Sequence, residues 1–379
     1  MDTLSTKIVV LTLLFLSFFS CKNEKEKHLF NTFSSKESAI KYAKGFDIQY
    51  NEDYKKLIIK TPYQNAENTF EYILTNSDSV IDKSRKIIKT PINSIVVTST
   101  THIPMLELLH VENKLVGYPN TDYISSKKTR ELINSGKIME LGNEENINTE
   151  VLLNLQPDTV IGFSINSNNK MLENIDKLGI PVIYNGDWLE ETPLGRAEWI
   201  KFFGILFNKE KEADSIFNAI EKNYFEAKNI ALKATNKPTV ISGGLFKDIW
   251  NLPAGDSFEA AFLNDANTNY LWKNSNGKGS LSLNIENVFE KGKDADIWLS
   301  PSFYTSLKQL ENANDIYPKF KAFKNKNIYS FVNNQGEKGG IIYFELAPSR
   351  PDLVLKDIIK IAHPELLEDY NFTFYQKLY

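Results

Sequence analysis

The chain has 379 residues, of which 42% are hydrophobic and 12% aromatic, enough for two folded lobes and too many for disorder over most of its length. Its net charge of -4, without a basic stripe, excludes the usual electrostatic footprint of a nucleic-acid-binding protein. The single cysteine, Cys21, excludes an internal disulfide and a thiolate metal cluster.

The first 44 residues are interpreted as an export signal and a tether. Within residues 1–20 an apolar run from Ile8 to Phe19 suits the hydrophobic region of a secretory signal and is too short to span a bilayer. Ser20 before Cys21 is typical of a lipoprotein cleavage site, which predicts that Cys21 carries lipid and that residues 21–44 form a tether. The alternative is a signal cleaved elsewhere, with Cys21 incidental. We expect the mature protein in the periplasm, anchored to a membrane by its lipid.

Residues 45–91 are predicted to form an N-terminal β extension. "GFDIQYNEDYKKLIIKTP" alternates apolar and polar residues around Asn51-Glu52-Asp53, a pattern typical of a β-hairpin. "FEYILTN" is predicted as a further strand.

From residue 92 onward, strands alternate with helices. "SIVVTS", "KLVGYP", "DTVIGF" and "PVIYNG" read as buried strands with helices between them, which predicts an N-terminal α/β lobe over residues 92–191. The same alternation resumes after Pro238 and predicts a C-terminal α/β lobe over residues 237–379. The predicted fold class is α/β, with two Rossmann-like lobes.

Residues 192–236 are predicted as a helical connector. "PLGRAEWIKFFGILF" is interpreted as one helix, and a second, longer helix follows it to about Ala234. At about 1.5 Å per residue the longer helix exceeds the width of one lobe, so we expect it to join the lobes as a single spine. Its apolar stripe recurs at three- and four-residue steps and comprises Ala213, Ile216, Phe217, Ile220, Tyr224, Ala227 and Ala231.

One short pattern occurs twice, in "INTEVLLNLQPDTVIG" and in "LNIENVFEKGKDADIWLS". Each begins Asn-x-Glu, continues as a short helix, passes an aspartate and enters an apolar strand. Glu150 and Glu286 lie in the first helical turn, where a carboxylate stabilises a helix by about 0.3–1 kcal/mol, and Asn148 and Asn284 are plausible caps. A repeated capping preference would explain both glutamates. The alternative is that two carboxylates, one per lobe, meet two arginines of a symmetric partner.

Polar and aromatic residues follow the predicted strands of both lobes, at the strand ends where α/β sheets bind ligands. Such a lining suits a bulky ligand that is partly apolar and partly anionic, although each residue singly could instead belong to the core. The candidates are Ser99, Thr100, Thr101, His102, Tyr118, Asp122, Asn185, Asp187 and Trp188 in the first lobe, and Phe246, Trp250, Ser302, Tyr304, Tyr343, Phe344 and Arg350 in the second.

Motifs for covalent or metal-assisted catalysis are absent from the sequence. It contains neither Gly-x-Ser-x-Gly nor His-Glu-x-x-His, and its four histidines are too scattered for a zinc site. His102 follows a strand, so it either lines a ligand or makes a structural hydrogen bond. We therefore predict no catalytic residue, no metal site and no cofactor.

The order and spacing of the repeated pattern, the spine and the tail "RPDLVLKDIIKIAHPEL" resemble one family over roughly Ile92 to Leu366. This family comprises the periplasmic substrate-binding proteins of ABC importers for iron complexes and vitamin B12, in which one long helix joins two α/β lobes. "ETPLGRAEWIKFFGILFNKEKEAD" looks especially like the lipoprotein members found in Bacteroidetes.

The resemblance implies a monomeric binding protein rather than an enzyme. Its ligand would be an iron–siderophore, heme or cobalamin, held in the cleft between the lobes and delivered to an ABC permease dimer in the inner membrane. Glu150 and Glu286 match the family's glutamates that dock onto arginines of the two membrane subunits. The alternatives are a periplasmic enzyme or a receptor for a free metal ion on the same fold.

Overall fold

Three stretches of the chain, residues 40–77, 86–143 and 146–379, are described by the computed structural model. They belong to one compact unit, Lys36–Tyr379. The predicted signal, the predicted lipidation site Cys21 and most of the predicted tether lie outside the described residues.

A four-stranded sheet occupies the predicted N-terminal extension. The antiparallel pair β1 (Phe46–Tyr50) and β2 (Lys55–Ile59) is the predicted hairpin. Strand β3 (Phe70–Thr75) pairs antiparallel with β2, and β4 (Lys86–Lys89) pairs parallel with β3. The extension is therefore larger than a hairpin.

The first parallel sheet follows, in the strand order β11-β10-β5-β6-β7. Strands β5, β10 and β11 are short and buried throughout, as expected of a sheet covered on both faces. With the small hairpin β8-β9 beside it in sequence, this part of the chain comprises β5 (Ile95–Val97), β6 (Leu115–Tyr118), β7 (Met139–Glu140), β8 (Gly142–Asn143), β9 (Asn146–Ile147), β10 (Thr159–Gly162) and β11 (Val182–Tyr184).

A second five-stranded sheet has the order β15-β12-β17-β18-β19, with only β19 antiparallel. A three-stranded antiparallel sheet, β13-β14-β16, accompanies it and was not predicted from the sequence. These strands are β12 (Thr239–Ser242), β13 (Gly244–Phe246), β14 (Ile249–Pro253), β15 (Asn269–Tyr270), β16 (Ser280–Leu283), β17 (Ile297–Leu299), β18 (Ile328–Ser330) and β19 (Gln376–Lys377).

The two large sheets share one connectivity. If the edge strands β7 and β19 are left out of the count, the first strand of each sheet pairs with the second on one side and with the third on the other, and the fourth lies beyond the third. Strands β5, β6, β10 and β11 thus correspond to β12, β15, β17 and β18. We refer to the two sheets with their helices as the N-terminal and C-terminal lobes.

Helices alternate with the strands as predicted. They are α1 (His102–Leu108), α2 (Lys127–Asn134), α3 (Thr149–Leu155), α4 (Lys170–Lys177), α5 (Pro193–Glu198), α6 (Ile200–Leu206), α7 (Glu210–Ala231), α8 (Phe258–Asp265), α9 (Ile285–Gly292), α10 (Leu307–Ala313), α11 (Lys321–Lys324), α12 (Ile342–Leu346) and α13 (Pro351–Ala362). None of the helices in the described part of the chain combines the length and apolarity that crossing a bilayer requires.

The long helix α7 contributes to the cores of both lobes. Its first half buries Ala213, Phe217 and Ile220 in the core of the N-terminal lobe. Its second half buries Tyr224, Ala227 and Ala231 in the core of the C-terminal lobe. The predicted stripe is confirmed, with Ile216 partly buried at its edge. One helix packed into two cores resists bending between them.

The preceding segment is two helices, α5 and α6, where one helix was predicted. At Trp199 the backbone N–H bonds to the carbonyl of Arg196, three residues back, at 3.3 Å, so the α-helical ladder is interrupted. The Trp199 indole is fully buried and donates to Glu190 Oε1 at 3.0 Å. This anchored side chain lies at the junction of α5 and α6.

The end of the predicted tether is held by two buried carboxylates. Glu198 accepts hydrogen bonds of 2.6 to 3.0 Å from the backbone N–H groups of residues 41–43. Glu190 accepts bonds of 2.8 to 3.0 Å from residues 44 and 45. The prediction of a tether up to residue 44 is wrong at this end, because these backbone groups are bound.

Candidate ligand-binding cleft

Residues from both lobes line a cavity of about 340 Å³. In the N-terminal lobe they follow the carboxyl ends of β5, β10 and β11, which is where α/β sheets present groups to ligands. In the C-terminal lobe they come from α8, α12 and the start of α13, and two more come from α5. The main lining residues are Ser99, Thr100, Thr101, Phe163, Trp188, Pro193, Arg196, Phe258, Glu259, Phe262, Tyr343 and Phe344.

Arg196 on α5 is the cation of this cavity. Its Nη2 donates to the carbonyl of Trp188 at 2.8 Å and its Nε to the carbonyl of Glu190 at 3.3 Å. The guanidinium lies 3.6 Å from the centre of the Phe258 ring. Among the described residues it forms no ion pair with a carboxylate, and burial lowers its pKa. The fixed fork therefore forms no direct ion pair, although the carboxylates of Asp187, Glu259 and Glu190 act on its charge from nearby.

Glu259, in the first turn of α8, is the carboxylate of the cavity. No hydrogen-bond partner for its side chain is found in the described ranges. Burial raises the pKa of Glu259, and the positive charge of Arg196 acts against that shift. Burial also raises the pKa of the Tyr343 hydroxyl well above its ordinary value, so this phenol stays neutral.

Aromatic rings make up much of the remaining wall. Phe163 and Trp188 meet edge to face with ring centres 5.7 Å apart. The indole nitrogen of Trp188 is buried without a hydrogen-bond partner in the part of the chain described. Tyr343 and Phe344 contribute two further rings to the lining from the C-terminal lobe. Flat apolar faces with few polar groups are typical of sites for ring-bearing ligands.

Six of the residues predicted from the sequence lie in this lining. They are Ser99, Thr100, Thr101, Trp188, Tyr343 and Phe344.

Three predicted lining residues belong instead to the core. His102 is fully buried, with its ring centre 5.4 Å from that of Phe203, and burial lowers its pKa. Tyr118 is 1% exposed at the end of β6. Trp250 is fully buried on β14 and stacks on Trp298 with ring centres 5.3 Å apart. The prediction of a ligand-lining role is wrong for all three, because their side chains face inward.

Four predicted residues form hydrogen bonds or ion pairs with neighbouring protein groups and do not line the cavity. Asp187 is buried and accepts a bond of 2.8 Å from the Thr101 hydroxyl, and the Asn185 side chain accepts from the Asp187 backbone at 2.9 Å. Asp122 is exposed, 3.8 Å from Arg130. Arg350 pairs with Asp352 through two bonds of 2.8 and 2.9 Å. Asp187 supports the wall through Thr101, whereas the predicted ligand contact of Arg350 is replaced by an internal ion pair.

The last three predicted residues lie outside the lining of the cavity. Phe246 is 63% exposed on β13. Ser302 is half-buried and packs near Gly244. Tyr304 packs against Tyr317 with ring centres 6.1 Å apart.

Sequence reasoning missed six of the main lining residues, Phe163, Pro193, Arg196, Phe258, Glu259 and Phe262. Phe163 follows β10 and matched the strand-end rule that selected the others. Arg196 and Glu259 each lie in a helix rather than at a strand end. An arginine near a proline-initiated helix start and a glutamate beside a serine cap were the available signals, and neither is specific.

The repeated Asn-x-Glu pattern occupies equivalent places in the two lobes. Helix α3 leads into β10 and α9 into β17, the third strands of their sheets. Asn148 and Asn284 cap these helices, accepting bonds of 3.1 and 2.9 Å. Glu150 and Glu286 are both exposed. Neither forms an ion pair within the described residues, so both carboxylates are open to solvent.

No group of three or more histidine, cysteine, aspartate or glutamate side chains suited to a metal ion occurs among the described residues. The cleft itself contributes one carboxylate and no imidazole to its lining. Its donor set therefore fits an organic ligand or a chelated metal better than a bare cation.

Comparisons with known proteins agree with this architecture. A family model described as a periplasmic binding protein matches residues 95–334, more than half of the chain. An uncharacterized lipoprotein of Methanocaldococcus jannaschii is 26% identical over 364 residues, covering 89% of this chain and 85% of that protein.

Two solved structures show the same fold. One is a possible iron-binding, periplasmic solute-binding protein of Staphylococcus epidermidis, with a TM-score of 0.56 and 19% identity over 72% of this chain and 100% of that one. The other is the periplasmic heme-binding protein of Vibrio cholerae, with a TM-score of 0.53 and 17% identity over 69% of this chain and 99% of that one. The family match, the two equivalent lobes and the cleft lined by both lead to one conclusion: the chain belongs to the periplasmic binding protein family and is a solute-binding protein, not an enzyme.

Proposed function

We propose that this protein captures an anionic, ring-bearing metal chelate, such as an iron–siderophore or heme, and delivers it to an ABC permease. The observation that carries the proposal is the Arg196 guanidinium, fixed by backbone carbonyls and without a direct ion pair in the described residues, in a cleft walled by aromatic rings. Burial lowers the pKa of Arg196 despite the carboxylates nearby, so an anionic ligand on this guanidinium would further stabilise its charge. Heme, which is named for one structural relative, is of this chemical class, and the other relative is named as a possible iron-binding protein.

The size of the cavity favours a chelate smaller than cobalamin. At about 340 Å³ it lies near the lower end of the ~300–1,000 Å³ typical of small-molecule pockets. Cobalamin is larger and would need a wider cleft.

A fluorescence titration of the mature protein tests the ligand class. The probes are ferric enterobactin, ferrichrome, heme and cyanocobalamin, with Trp188 as the cleft reporter. We expect saturable quenching by an anionic chelate, at least about tenfold tighter than by uncharged ferrichrome, since one charge-assisted bond contributes about 1.5–3 kcal/mol. Absence of a response to every chelate in folded protein would overturn the proposal.

Docking on the permease is proposed to use Glu150 and Glu286. Their support is the shared topology of α3 and α9 and the absence of competing ion pairs in the described residues. A permease made of two like subunits would present its arginines twice, and one exposed carboxylate on each lobe matches that symmetry.

The docking proposal is tested with Glu150→Ala combined with Glu286→Ala. We expect uptake and permease binding to be lost, while ligand affinity stays within twofold. The matched control combines Glu173→Ala with Glu311→Ala, which removes two exposed carboxylates on other helices, α4 and α10, and should leave uptake intact. Normal uptake by the first pair would remove the docking role.

A lipid anchor at Cys21 is proposed from the sequence and from the lipoprotein name of the archaeal relative. Replacing Cys21 with serine should move the protein from the membrane to the soluble fraction and abolish labelling by a fatty acid. Unchanged membrane association would contradict the anchor.

A further inference from the structure

A second cavity lies within the C-terminal lobe, at the carboxyl ends of β12, β17 and β18. Its volume is about 160 Å³. It shares Glu259, Phe262 and Tyr343 with the cleft cavity, so these side chains form the boundary between the two spaces. We call this cavity the inner chamber. The rest of its lining includes Ser242, Gly243, Asn251, Leu299, Ser300, Phe331 and Tyr375.

Glu259 is the one charged side chain among the residues that line the inner chamber. The other polar groups there are largely engaged. The carbonyls of Ser242 and Gly243 accept from the indoles of Trp250 and Trp298 at 3.0 and 2.8 Å. The Glu259 carboxylate, by contrast, has no hydrogen-bond partner in the described ranges. A carboxylate without a hydrogen-bond partner thus lines a small cavity whose other lining residues are uncharged, and the charge of Arg196 acts on it from the neighbouring cleft.

We propose that the inner chamber is a subsite for a protonated amine carried on a ring-sized group, bound by Glu259. This subsite rests on the proposed function, because the amine would be part of the ligand that the protein captures. Its ligand would then be bipolar, with an anionic group on Arg196 and an ammonium group on Glu259.

The size and walls of the inner chamber fit such a group. An apolar cavity of ~150 Å³ accommodates benzene, so about 160 Å³ accommodates one ring with a short substituent. Phe262 and Tyr343 offer ring faces at the boundary, and aromatic faces attract ammonium groups. Burial raises the pKa of Glu259 by more than the charge of Arg196 lowers it, so the protein compensates this negative charge only in part.

Benzylammonium is the probe for the inner chamber, because it combines one ring with one protonated amine. Binding to the mature protein is followed by ligand-observed NMR and by calorimetry. We expect saturable binding that weakens at least tenfold in Glu259→Gln, and at least tenfold weaker binding of uncharged benzyl alcohol. Asp256→Asn is the matched control, since it removes an exposed carboxylate three residues away that lines neither cavity.

The outcomes separate the inference from the proposed function. Equal benzylammonium affinity in Glu259→Gln and in the unaltered protein, or an equal loss in Asp256→Asn, overturns the subsite. The chelate titration described above tests the function with different probes and a different side chain, Arg196. Quenching by an anionic chelate without selective benzylammonium binding would therefore leave the function standing and remove only the inner-chamber subsite. Thermal unfolding of Glu259→Gln shows that any loss is not a loss of fold.

Discussion

Asp158 and Asp296 make the same contact in the two lobes. Each follows the repeated helix and precedes the third strand of its sheet, and each binds backbone N–H groups at the entrance to the first strand. Asp158 accepts from Asn93 and Ser94 at 2.6 and 3.0 Å. Asp296 accepts from the Thr239 N–H and hydroxyl at 2.8 and 2.7 Å. The aspartate in the repeated pattern thus ties two neighbouring strands together.

Replacing Asp296 with alanine should lower the free energy of unfolding by about 1–3 kcal/mol, because the Thr239 N–H loses its acceptor. Burial acts to raise the pKa of Asp296, but hydrogen bonds from Lys321 and Thr239 outweigh it, so the pKa is lowered. The contribution is therefore present above the unfolded-state pKa and is lost as pH falls through the folded-state value. Denaturant unfolding at pH 7 and below pH 4 measures both effects.

The neighbouring exposed Asp294 provides the control for this substitution. Asp294→Ala should change stability by no more than about 0.5 kcal/mol. Asp158→Ala should resemble Asp296→Ala in sign. Equal, small effects at all three positions would contradict a structural role for the repeated aspartate.

The strands and the spine were predictable because burial imposes a period on the sequence. The stripe from Ala213 to Ala231 lies on one helical face, and each apolar run such as "DTVIG" is long enough to cross a buried sheet. The family resemblance added the pairing of the lobes, which local patterns do not specify.

The lining of the cleft was less predictable, since a strand-end position does not say which way a side chain faces. Neighbouring residues of a strand point to opposite sides, so Trp250 is buried in the core while Ile249 beside it is 49% exposed. Thr100 lies in the turn after its strand and lines the cleft. Arg196 reaches the cleft because α5, which ends just before Trp199, contributes to the cleft lining together with residues of both lobes. That placement depends on tertiary contacts that no short sequence window contains.

Ligand affinity should distinguish Arg196 from Arg350. Arg196→Lys keeps the charge but loses the planar fork and its bonds to two carbonyls, so we expect the affinity for an anionic chelate to fall by about 10- to 100-fold. Arg350→Lys changes an arginine already paired with Asp352 and absent from the cavity lining, and should leave affinity within twofold. Isothermal titration with the chelate that binds best provides the comparison, and the reverse ranking would return the anion site to Arg350.

The lobes are also joined directly, on the side of α12. Glu345 of the C-terminal lobe accepts bonds of 2.6 and 2.9 Å from the backbone N–H groups of Ser125 and Ser126 in the N-terminal lobe. Gly336 lies so close that an added Cβ would come within 2.6 Å of the Ser125 Cα. Other charged groups beside this contact are Glu107, Lys127, Arg130, Glu131 and Glu337.

Burial raises the pKa of Glu345 to about 7, although its two backbone hydrogen bonds favour the ionised form and Glu107 opposes it. The folded protein therefore holds a proton that the unfolded chain releases near its ordinary pKa of 4.5. Stability from this group is complete below about pH 4.5 and is lost as pH rises through about 7.

We expect the unaltered protein to lose up to about 1.4 kcal/mol per pH unit across that window, relative to Glu345→Gln, which does not titrate. Denaturant unfolding from pH 4.5 to 8 measures the difference between the two curves of unfolding free energy against pH. Glu337 is an exposed carboxylate in the same groove, and the curve of Glu337→Gln should run parallel to that of the unaltered protein. Because Glu345 bridges the lobes, the same titration should loosen the contact at Ser125. Hydrogen exchange of the Ser125 and Ser126 amides would detect this as faster exchange above pH 7 than the same amides show in Glu345→Gln. Curves for the unaltered protein and Glu345→Gln that stay parallel over the whole range would show that this carboxylate is ionised throughout and that the contact between the lobes does not respond to pH.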